Sequence, residues 1–373
     1  MDVHLDITEL VTTLRRTGIQ RVERELIRHW PGPAMLHPCW LDPGIGQLCL
    51  LPHAAFSLLA DDVLPGGAEA ETKFLAPLVA RGRRLDPSGL RLLNAELFFD
   101  PARTTLYTHL ALQGDNRIHW LVYDFLPWLY PQFFGSGSAG AGMGFLRALR
   151  HASDVAFISE QVRTDYRKRI TRGQGRDGPV LPLGGDGLRI ERQTFTAART
   201  DFVWLGTIEP RKNASSLLRA FMRLWDEGTH ACLIMIGCRE AGAHEEGKLL
   251  HQLQHEKRFR HISEASSAVV RECLQHARAL IFPSRHEGFG LPPIEALYAG
   301  IPVVVWRGLP ALEGLSSAGQ IRLDDTSPAD IADAVRWLLD DINIRRMWAD
   351  AATIMVPTWR DFARACAAWV QAR

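Results

Sequence analysis

The chain has 373 residues, a length that suggests two domains, and its 46% hydrophobic and 23% charged residues are typical of globular proteins. A formal net charge of +1 excludes a protein that binds nucleic acid through bulk charge. No apolar run approaches the roughly eighteen residues that a membrane-spanning helix needs, and the first residues lack the pattern of a signal peptide. The six cysteines form no CxxC pair, so we expect reduced thiols in a cytoplasmic protein.

The first strand and helix of the chain form a candidate anion site. Residues Val3 to Ile7 are predicted to be a strand, and Thr17 and Gln20 have the spacing of a capping box that starts an amphipathic helix. At Gly18, free backbone amides and the positive end of the helix dipole would face a bound anion. An ordinary amphipathic helix with a solvated entrance explains the same pattern, and both interpretations stay open.

Two apolar segments further along the chain, Thr104 to Leu110 and Ile118 to Phe125, are predicted to be buried strands. The second ends near Asp124, and ligands of doubly wound sheets bind at the carboxyl ends of strands. Asp124 is therefore a candidate catalytic residue. The alternative is a structural role as the cap of the next turn.

Two features of the first half raise the question of membrane contact. The aromatic run from Phe125 to Phe134 is either part of the core or a contact for an acyl chain. The helix capped by Ser159 carries outward-facing basic side chains, which form either a solvated face or a contact for anionic lipid. These side chains are Arg163, Arg167, Lys168, Arg169 and Arg172. The turn-rich segment from Val180 to Gly187 then predicts a domain boundary.

The second half alternates strands and helices, which predicts βαβ units and a parallel sheet. Its first strand, Phe202 to Leu205, is followed by Gly206-Thr207-Ile208-Glu209-Pro210-Arg211-Lys212-Asn213, with Asn213 as the cap of the next helix. Arginine offers a fork of donors and lysine a mobile point charge, so Arg211 and Lys212 are typical of a site for a diphosphate.

The segment from Phe282 to Gly300 contains a glycine-rich turn and a helix that starts at Pro292 and Pro293. Free amides at such a helix start can hold an anion. Glu287 in the turn and Glu295 in the helix are suited to paired sugar hydroxyls. Amides and carboxylates together predict a nucleotide-sugar site; a surface loop with two solvated glutamates is the alternative.

The chain resembles a GT-B glycosyltransferase of family 4 over nearly its full length. The segment Glu287-Gly288-Phe289-Gly290-Leu291-Pro292 through Glu295 is similar to that family's E-x7-E signature, and Gly206 to Asn213 is similar to its phosphate-binding segment. Thr17-Gly18-Ile19-Gln20-Arg21 resembles the family's N-terminal loop. Leu183 to Asp186 resembles the linker between its domains, and Pro357-Thr358-Trp359 the start of its closing helix.

The resemblance implies an α/β fold of two Rossmann-like domains facing each other across a cleft. An acceptor-binding domain would span 1–184 and a nucleotide-sugar-binding domain 185–356. The helix of 357–373 would cross back onto the first domain. The family commonly has arginine where this chain has Thr207, and we expect Arg211 to supply that charge. The candidate catalytic residues are Arg211, Lys212, Glu287 and Asp124.

The resemblance also assigns candidate roles in donor binding. Lys212 would hold the diphosphate, Glu295 the ribose hydroxyls and Glu287 the donor hexose. The remaining candidate donor-binding residues are Gly18, Gly206, Thr207, Arg211, Gly288, Phe289, Gly290 and Leu291. Among these, the amides of Phe289, Gly290 and Leu291 would meet the sugar and phosphates.

The implied activity is retaining, metal-independent transfer of a hexose from a nucleotide-diphosphate sugar, without a cofactor. The motifs resemble those of bacterial surface-polysaccharide transferases. This resemblance favours GDP-mannose or a deoxysugar donor and a glycan or lipid-linked acceptor. We expect a cytoplasmic protein that binds no nucleic acid, with peripheral contact to the inner face of the plasma membrane left open. The alternatives are a catalytically silent nucleotide-sugar-binding subunit of a polysaccharide assembly complex and a GT-B epimerase or phosphorylase.

Overall fold

The computed structural model describes residues 2–13, 17–32, 34–52, 54–60, 75–86, 88–113, 116–134, 140 and 142–372. The chain divides into two compact units, each with its own sheet. The first unit comprises Met1–Pro131, Ser136–Leu183 and Thr358–Arg373, and the second comprises Gln132–Gly135 and Gly184–Pro357. Among the described helices, none is long and apolar enough to cross a bilayer.

The described part of the first unit contains a seven-stranded sheet. Its strands are β1 (Val3–Asp6), β2 (Leu36–Asp42), β3 (Gln47–Leu50), β4 (Arg83–Arg84), β5 (Arg91–Asn94), β6 (Arg117–Val122) and β7 (Asp154–Phe157). They lie in the order β4-β3-β2-β1-β5-β6-β7, all pairing in parallel except that β3 pairs antiparallel with β2 and β4. The chain passes from β1 to β2 on one side and returns to β5 on the other, so the strand order reverses between β1 and β5.

Helices connect these strands, as expected for parallel pairs. They are α1 (Thr8–Thr13), α2 (Gly18–His29), α3 (Ala54–Ala60), α4 (Pro101–Leu112), α5 (Leu126–Leu129), α6 (Met143–Leu149) and α7 (Glu160–Asp165). A π-helical turn, Tyr166–Ile170, continues α7. The predicted capping box is confirmed, because Thr17 and Gln20 cap α2 reciprocally, and the Ser159 hydroxyl caps α7.

The prediction of a strand over Thr104 to Leu110 is wrong, because these residues lie within α4. The helix begins after Asp100, whose Oδ1 accepts the backbone N–H of Arg103 at 2.8 Å, and Pro101 occupies its first turn. Its buried side chains, Arg103, Tyr107 and Leu110, recur at the three- and four-residue spacing of a helix. The threonines and aromatic residue that suggest a strand therefore lie on a helix that a proline and a carboxylate initiate.

A buried polar network occupies the point where the strand order of the first unit reverses. The Arg103 guanidinium donates to Glu96 and, at 2.5 Å, to Glu9, while the Tyr107 hydroxyl donates to Asp6 Oδ2 at 2.7 Å. Glu96 also accepts the backbone N–H of Glu9 at 2.9 Å. Burial, and then the charge of Asp6, raise the pKa of Glu96 to about 8. The network thus joins α1 and α4 to the central strands through satisfied buried polar groups.

The described part of the second unit contains a six-stranded sheet that is parallel throughout. Its strands are β8 (Asp201–Leu205), β9 (Cys232–Ile236), β10 (Phe259–Ile262), β11 (Ala277–Phe282), β12 (Val303–Trp306) and β13 (Gln320–Leu323). They lie in the order β10-β9-β8-β11-β12-β13, so the strand order reverses between β8 and β11. The sequence-based prediction of a parallel α/β domain is confirmed for this unit.

The helices of the second unit follow the strands in alternation. They are α8 (Ala214–Asp226), α9 (His244–Gln252), α10 (Ser267–His276), α11 (Leu291–Tyr298), α12 (Pro328–Leu339) and α13 (Asp341–Ala351). Buried apolar faces on α8 and α12, including Leu217, Phe221, Ile331 and Val335, contribute to the core.

The last helix, α14 (Trp359–Gln371), belongs to the first unit. Thr358 and Asp361 form the capping box that the sequence predicts. Arg91 Nη1 donates to the Val370 carbonyl oxygen at 2.6 Å, and the Trp369 ring meets the His119 ring edge-on at 5.3 Å. These contacts fix the buried apolar face of α14 against the sheet of that unit.

Candidate functional site

The candidate site lies at the carboxyl ends of β8 and β11, the strands between which the strand order of the second sheet reverses. Ligands of open parallel sheets bind at such a point because the loops leaving the two strands diverge there and open a crevice. Gly206 follows β8 directly, and Pro283 and Ser284 follow β11. The two predicted donor-binding segments therefore leave neighbouring strands at the same edge.

The segment after β8 contains two residues with positive φ angles, Gly206 and Asn213. Gly206 has a φ of 154° and its N–H donates to the Ile236 carbonyl oxygen at 3.0 Å. Pro210–Lys212 form a 3-10 turn, and Asn213 follows in the left-handed region with a φ of 56°. Asn213 stands at the N-cap position of α8 without the predicted side-chain cap, because its amide group instead donates to Thr326 Oγ1 at 2.9 Å. That bond ties the start of α8 to the loop after β13.

The backbones after β8 and β9 approach each other so closely that Gly237 has no room for a side chain. A Cβ on Gly237 would overlap the Gly206 carbonyl oxygen, and its φ of 140° disfavours any other residue. Gly237 therefore sets the position of Gly206 and Thr207, the first residues of the candidate phosphate segment.

We expect Gly237→Ala to lower the free energy of unfolding by about 2 kcal/mol and to weaken nucleotide binding, because Gly206 must shift. Gly242→Ala is the matched control, since a Cβ there meets nothing within 4 Å. Thermal melting and nucleotide titration of both variants measure the effects. Equal stability and affinity in the two variants would contradict the role assigned to Gly237.

The two cations of the first segment both contact Glu287 of the second. Lys212 Nζ lies 2.5 Å from Glu287 Oε1, and Arg211 Nη1 donates to Glu287 Oε2 at 3.0 Å. Arg211 also donates to the His286 carbonyl oxygen at 2.7 Å and pairs with Glu209 at 2.7 Å. The side chains of Lys212 and Glu287 are only 12% and 9% exposed, so solvent screens this cluster weakly.

The pKa values of the cluster follow from its charges. Burial acts to raise the pKa of Glu287, but the nearby Lys212 and Arg211 outweigh it and lower that pKa to about 2. Burial, together with the charge of Arg211, lowers the pKa of Lys212 in spite of Glu287. The lowered pKa of Glu287 and the lowered pKa of Lys212 are consistent with each other. Glu287 faces two cations, whereas Lys212 faces one cation in addition to its carboxylate partner. Glu287 is therefore ionised at neutral pH.

The glycine-rich turn leads into α11 as the sequence predicts. Gly290 has a φ of 108°, and a Cβ there would lie 2.9 Å from Leu309 Cδ1, so only glycine fits without displacement. Leu291 is the first residue of α11, next to Pro292. Glu295 lies one turn in and is 2% exposed, and Phe289 is 7% exposed. Gly288 is likewise buried in the turn.

Neither His286 nor Phe133 was assigned a role in donor binding from the sequence. Their rings lie 5.0 Å apart within the second unit, although 153 positions separate them in the chain. Burial, followed by the charge of Arg211, lowers the pKa of His286, which favours a neutral imidazole beside Glu287. The direct succession of His286 and Glu287 is the one sequence signal for this histidine.

Two further candidates, Gly18 and Asp124, lie on elements of the first unit. Gly18 is the exposed first residue of α2 and directly follows the N-cap residue Thr17. Asp124 lies two residues beyond β6, and its Oδ1 accepts the Leu126 N–H at 3.0 Å at the start of α5. The capping role that the sequence left open is therefore present, and a catalytic role stays a prediction.

Comparison with known proteins matches residues 190–355 to the family of glycosyl transferases group 1. The Anabaena protein HepE, in complex with UDP-glucose, superposes with a TM-score of 0.66 over 100% of both chains at 13% identity, which shows the fold. The chain is a GT-B protein with a group 1 glycosyl transferase domain. The resemblance that the motifs predict is thus confirmed for the fold of the chain and, over residues 190–355, for the family.

Several relatives of this GT-B protein are bacterial mannosyltransferases. The serotype-specific mannosyltransferase WbdA of Escherichia coli is 31% identical over 241 residues, which cover 58% of this chain and 29% of the relative. The O-antigen chain mannosyltransferase B of Escherichia coli is 30% identical over 152 residues, which cover 40% of this chain and 39% of the relative. The chain spans less than a third of the length of the WbdA relatives that it matches.

Proposed function

We propose that the protein is a retaining, metal-independent hexosyltransferase that uses a nucleotide-diphosphate sugar, with GDP-mannose as the favoured donor and a deoxysugar donor as the alternative. The acceptor would be a growing glycan or a lipid-linked glycan of a bacterial surface polysaccharide. The protein would act in the cytoplasm, with peripheral contact to the inner face of the plasma membrane. The mannosyltransferase relatives support the choice of sugar.

The observation that carries the proposal is the cluster of Lys212, Arg211 and Glu287 at the point where the strand order of the second sheet reverses. Two cations with different geometries suit a diphosphate, because the arginine fork can bind two oxygens and the lysine can follow a moving charge. A carboxylate that is ionised at neutral pH suits the hydroxyls of a sugar.

The proposed chemistry is electrostatic. As the bond between the anomeric carbon and the diphosphate breaks, negative charge grows on the leaving nucleoside diphosphate. Lys212, Arg211 and the amides at the start of α11 would stabilise that charge. Arg211 would thereby supply the charge that Thr207 lacks.

Glu287 would link donor recognition to this stabilisation. In the structure it pairs with both Lys212 and Arg211, so an incoming diphosphate must compete with it for the two cations. A carboxylate has about four lone-pair directions, and those released by the cations can accept hexose hydroxyls. Buried Glu295 would accept the ribose hydroxyls, one turn further into α11.

We expect Asp124→Asn to lower the rate of transfer about tenfold. This is the effect expected when one hydrogen bond between a charged carboxylate and the acceptor hydroxyl is lost. The amide oxygen of asparagine can still accept the Leu126 N–H, so the cap at the start of α5 should be retained. Steady-state transfer and melting of this variant separate the two roles. Unchanged transfer would leave Asp124 with its capping role alone.

The proposal is tested with a panel of GDP-mannose, UDP-glucose and a dTDP-deoxysugar. We expect one of them, by preference GDP-mannose, to raise the melting temperature of the full chain, because a ligand that binds only the folded state stabilises it. The same sugar nucleotide should then yield free nucleoside diphosphate when a glycan acceptor is added. A shift without release would indicate a silent binding subunit, and the absence of any shift would contradict the proposed donor class.

A further inference from the structure

Thr326 joins the two segments that carry the candidate donor-binding residues of the second unit. It lies in the loop after β13 and is fully buried. Its hydroxyl oxygen accepts the Asn213 side-chain amide at 2.9 Å and Arg285 Nε at 2.8 Å. Its carbonyl oxygen accepts the same Asn213 amide group at 2.8 Å. One residue thus holds a position in each of two other loops.

These hydrogen bonds reach across the sheet. The strand β13 is the last in the order β8-β11-β12-β13, so the loop after it extends past β12 to meet the loops after β11 and β8. Asn213 directly follows Lys212 in the loop after β8, and Arg285 lies two residues before Glu287 in the loop after β11. Thr326 therefore contacts each loop within two residues of the pair formed by Lys212 and Glu287.

The bonds to Asn213 stabilise a backbone conformation that costs free energy. Asn213 has a φ of 56°, in the left-handed region that residues other than glycine rarely adopt. It stands between the 3-10 turn Pro210–Lys212 and the start of α8, and its side-chain amide donates to two oxygens of Thr326. Without the hydroxyl acceptor, we expect the turn that carries Lys212 to relax away from Glu287.

The residues on either side of Thr326 anchor it. Ser327, the next residue, caps α12, since its hydroxyl oxygen accepts the Asp330 N–H at 3.2 Å, and α12 packs against α8. Asp325, the preceding residue, pairs with Arg285. A buried hydroxyl between a helix cap and an ion pair has little freedom to move. Thr326 can therefore set the positions of its hydrogen-bond partners.

We propose that Thr326 is a positioning residue of the donor site. Through Asn213 it holds Lys212, and through Arg285 it holds Glu287. A preorganised charge stabilises a leaving group only when it is in place, and a displacement of about 1 Å can cost a large part of the rate. This inference rests on the proposed function and deepens it. A purely structural hydrogen bond is the alternative, and it predicts lower stability with unchanged turnover.

Two substitutions of Thr326 in the full chain separate these roles. Thr326→Val removes the hydroxyl and nearly keeps the volume of the side chain, whereas Thr326→Ser keeps the hydroxyl. We expect Thr326→Val to lower turnover at saturating donor about tenfold, with a smaller change in KM, and Thr326→Ser to retain most of the turnover. Thr229→Val is the matched control, because it removes a hydroxyl that donates to the Leu224 carbonyl oxygen at 2.9 Å in the same unit. It should leave turnover unchanged even where it lowers the melting temperature.

A double-mutant cycle tests whether Thr326 acts through Lys212. In the Lys212→Ala background the charge that Thr326 positions is gone, so Thr326→Val should lose most of its effect on turnover. Three results would overturn the proposal: equal fold-losses of turnover in the two backgrounds, a Thr326→Val variant as active as Thr229→Val, or a Thr326→Ser variant as impaired as Thr326→Val.

The pKa of Glu287 gives a second readout that needs no donor. Burial acts to raise this pKa, but Lys212 and Arg211 lower it from 4.5 to about 2. If Lys212 moves away, the pKa should rise towards 4.5 in Thr326→Val and stay low in Thr229→Val. Carboxyl carbon NMR measures it, with the signal assigned by its absence from Glu287→Gln. A protein that turned over no sugar nucleotide would contradict the proposed function, whereas an unchanged Glu287 pKa in Thr326→Val would by itself overturn the role of Thr326.

Discussion

Lys212→Ala is expected to lower the turnover of glycosyl transfer by a factor of about 10² to 10³, the typical cost of removing one preorganised charge from a transition state. Lys212 lies 2.5 Å from Glu287 and is nearly buried, so water does not easily take over its role. Donor affinity should fall less than turnover, because the leaving diphosphate gains charge only as the bond breaks.

Lys257→Ala is the matched control, since Lys257 is an exposed lysine of the same unit. Steady-state rates of nucleoside diphosphate release, measured with saturating donor, separate the effect on turnover from the effect on affinity. If Lys212→Ala kept the rate of the Lys257→Ala control, Lys212 would have no part in stabilising the leaving group.

Glu287→Gln is expected to lower transfer about a hundredfold, because the hexose loses a charged acceptor and the two cations lose the group that positions them. The substitution should also destabilise the fold. A fall of the Glu287 pKa from 4.5 to about 2 on folding corresponds to about 3 kcal/mol at neutral pH. Burial already lowers the pKa of Lys212 in the wild type, and loss of its carboxylate partner does not relieve that cost, so we expect a loss of about 3 kcal/mol.

The sign of the pH dependence follows from the same pKa. Glu287 has a lower pKa in the folded state, so its contribution is complete above pH 4.5 and is lost as the pH falls towards 2. The stability difference between wild type and Glu287→Gln should therefore shrink over that range.

Glu245→Gln serves as the control for Glu287→Gln, since the Glu245 side chain is 54% exposed and pairs with Arg219 at the surface. Chemical denaturation of the three proteins from neutral to acidic pH measures the difference. A constant difference between wild type and Glu287→Gln across the acidic range would refute the ionic role of Glu287.

The strands and helices of the second unit could be predicted well from the sequence, because the local preference of each segment agrees with its place in the sheet. The strand Phe202 to Leu205 and the start of α11 at the prolines both lie within a residue or two of their predicted places. A parallel sheet buried on both faces gives continuous apolar runs, and proline and glycine mark the helix ends without help from distant residues.

The first unit was harder, because distant partners decide its structure. The threonine-rich segment from Thr104 to Leu110 favours a strand locally, yet it is helical in α4. Arg103 at the start of that helix pairs with Glu9 and Glu96, and no periodicity reveals such pairs. The long-range pairing of Arg103 therefore adds to the local cap of Asp100 and Pro101 in favouring a helix over a strand.

Within the site, the residue types were predictable but their pairing was not. Arg211 and Lys212 were assigned to a phosphate, and the structure places both on Glu287, 76 and 75 positions away. Sequence order shows which loops leave which strands, whereas the contact between the loops depends on the strand order of the sheet. The contact between Phe133 and His286 likewise could not be predicted from the order of the residues in the sequence.

The central claim is that Lys212 holds the diphosphate of the donor. It is tested most directly by titrating the wild type and Lys212→Ala with two ligands: the nucleoside diphosphate of the donor that the panel selects, and the corresponding nucleoside without phosphate. We predict that the wild type binds the diphosphate at least about tenfold more tightly than the nucleoside, as expected for charge-assisted hydrogen bonds, and that Lys212→Ala loses most of this preference. An undiminished preference for the diphosphate in Lys212→Ala would contradict the claim.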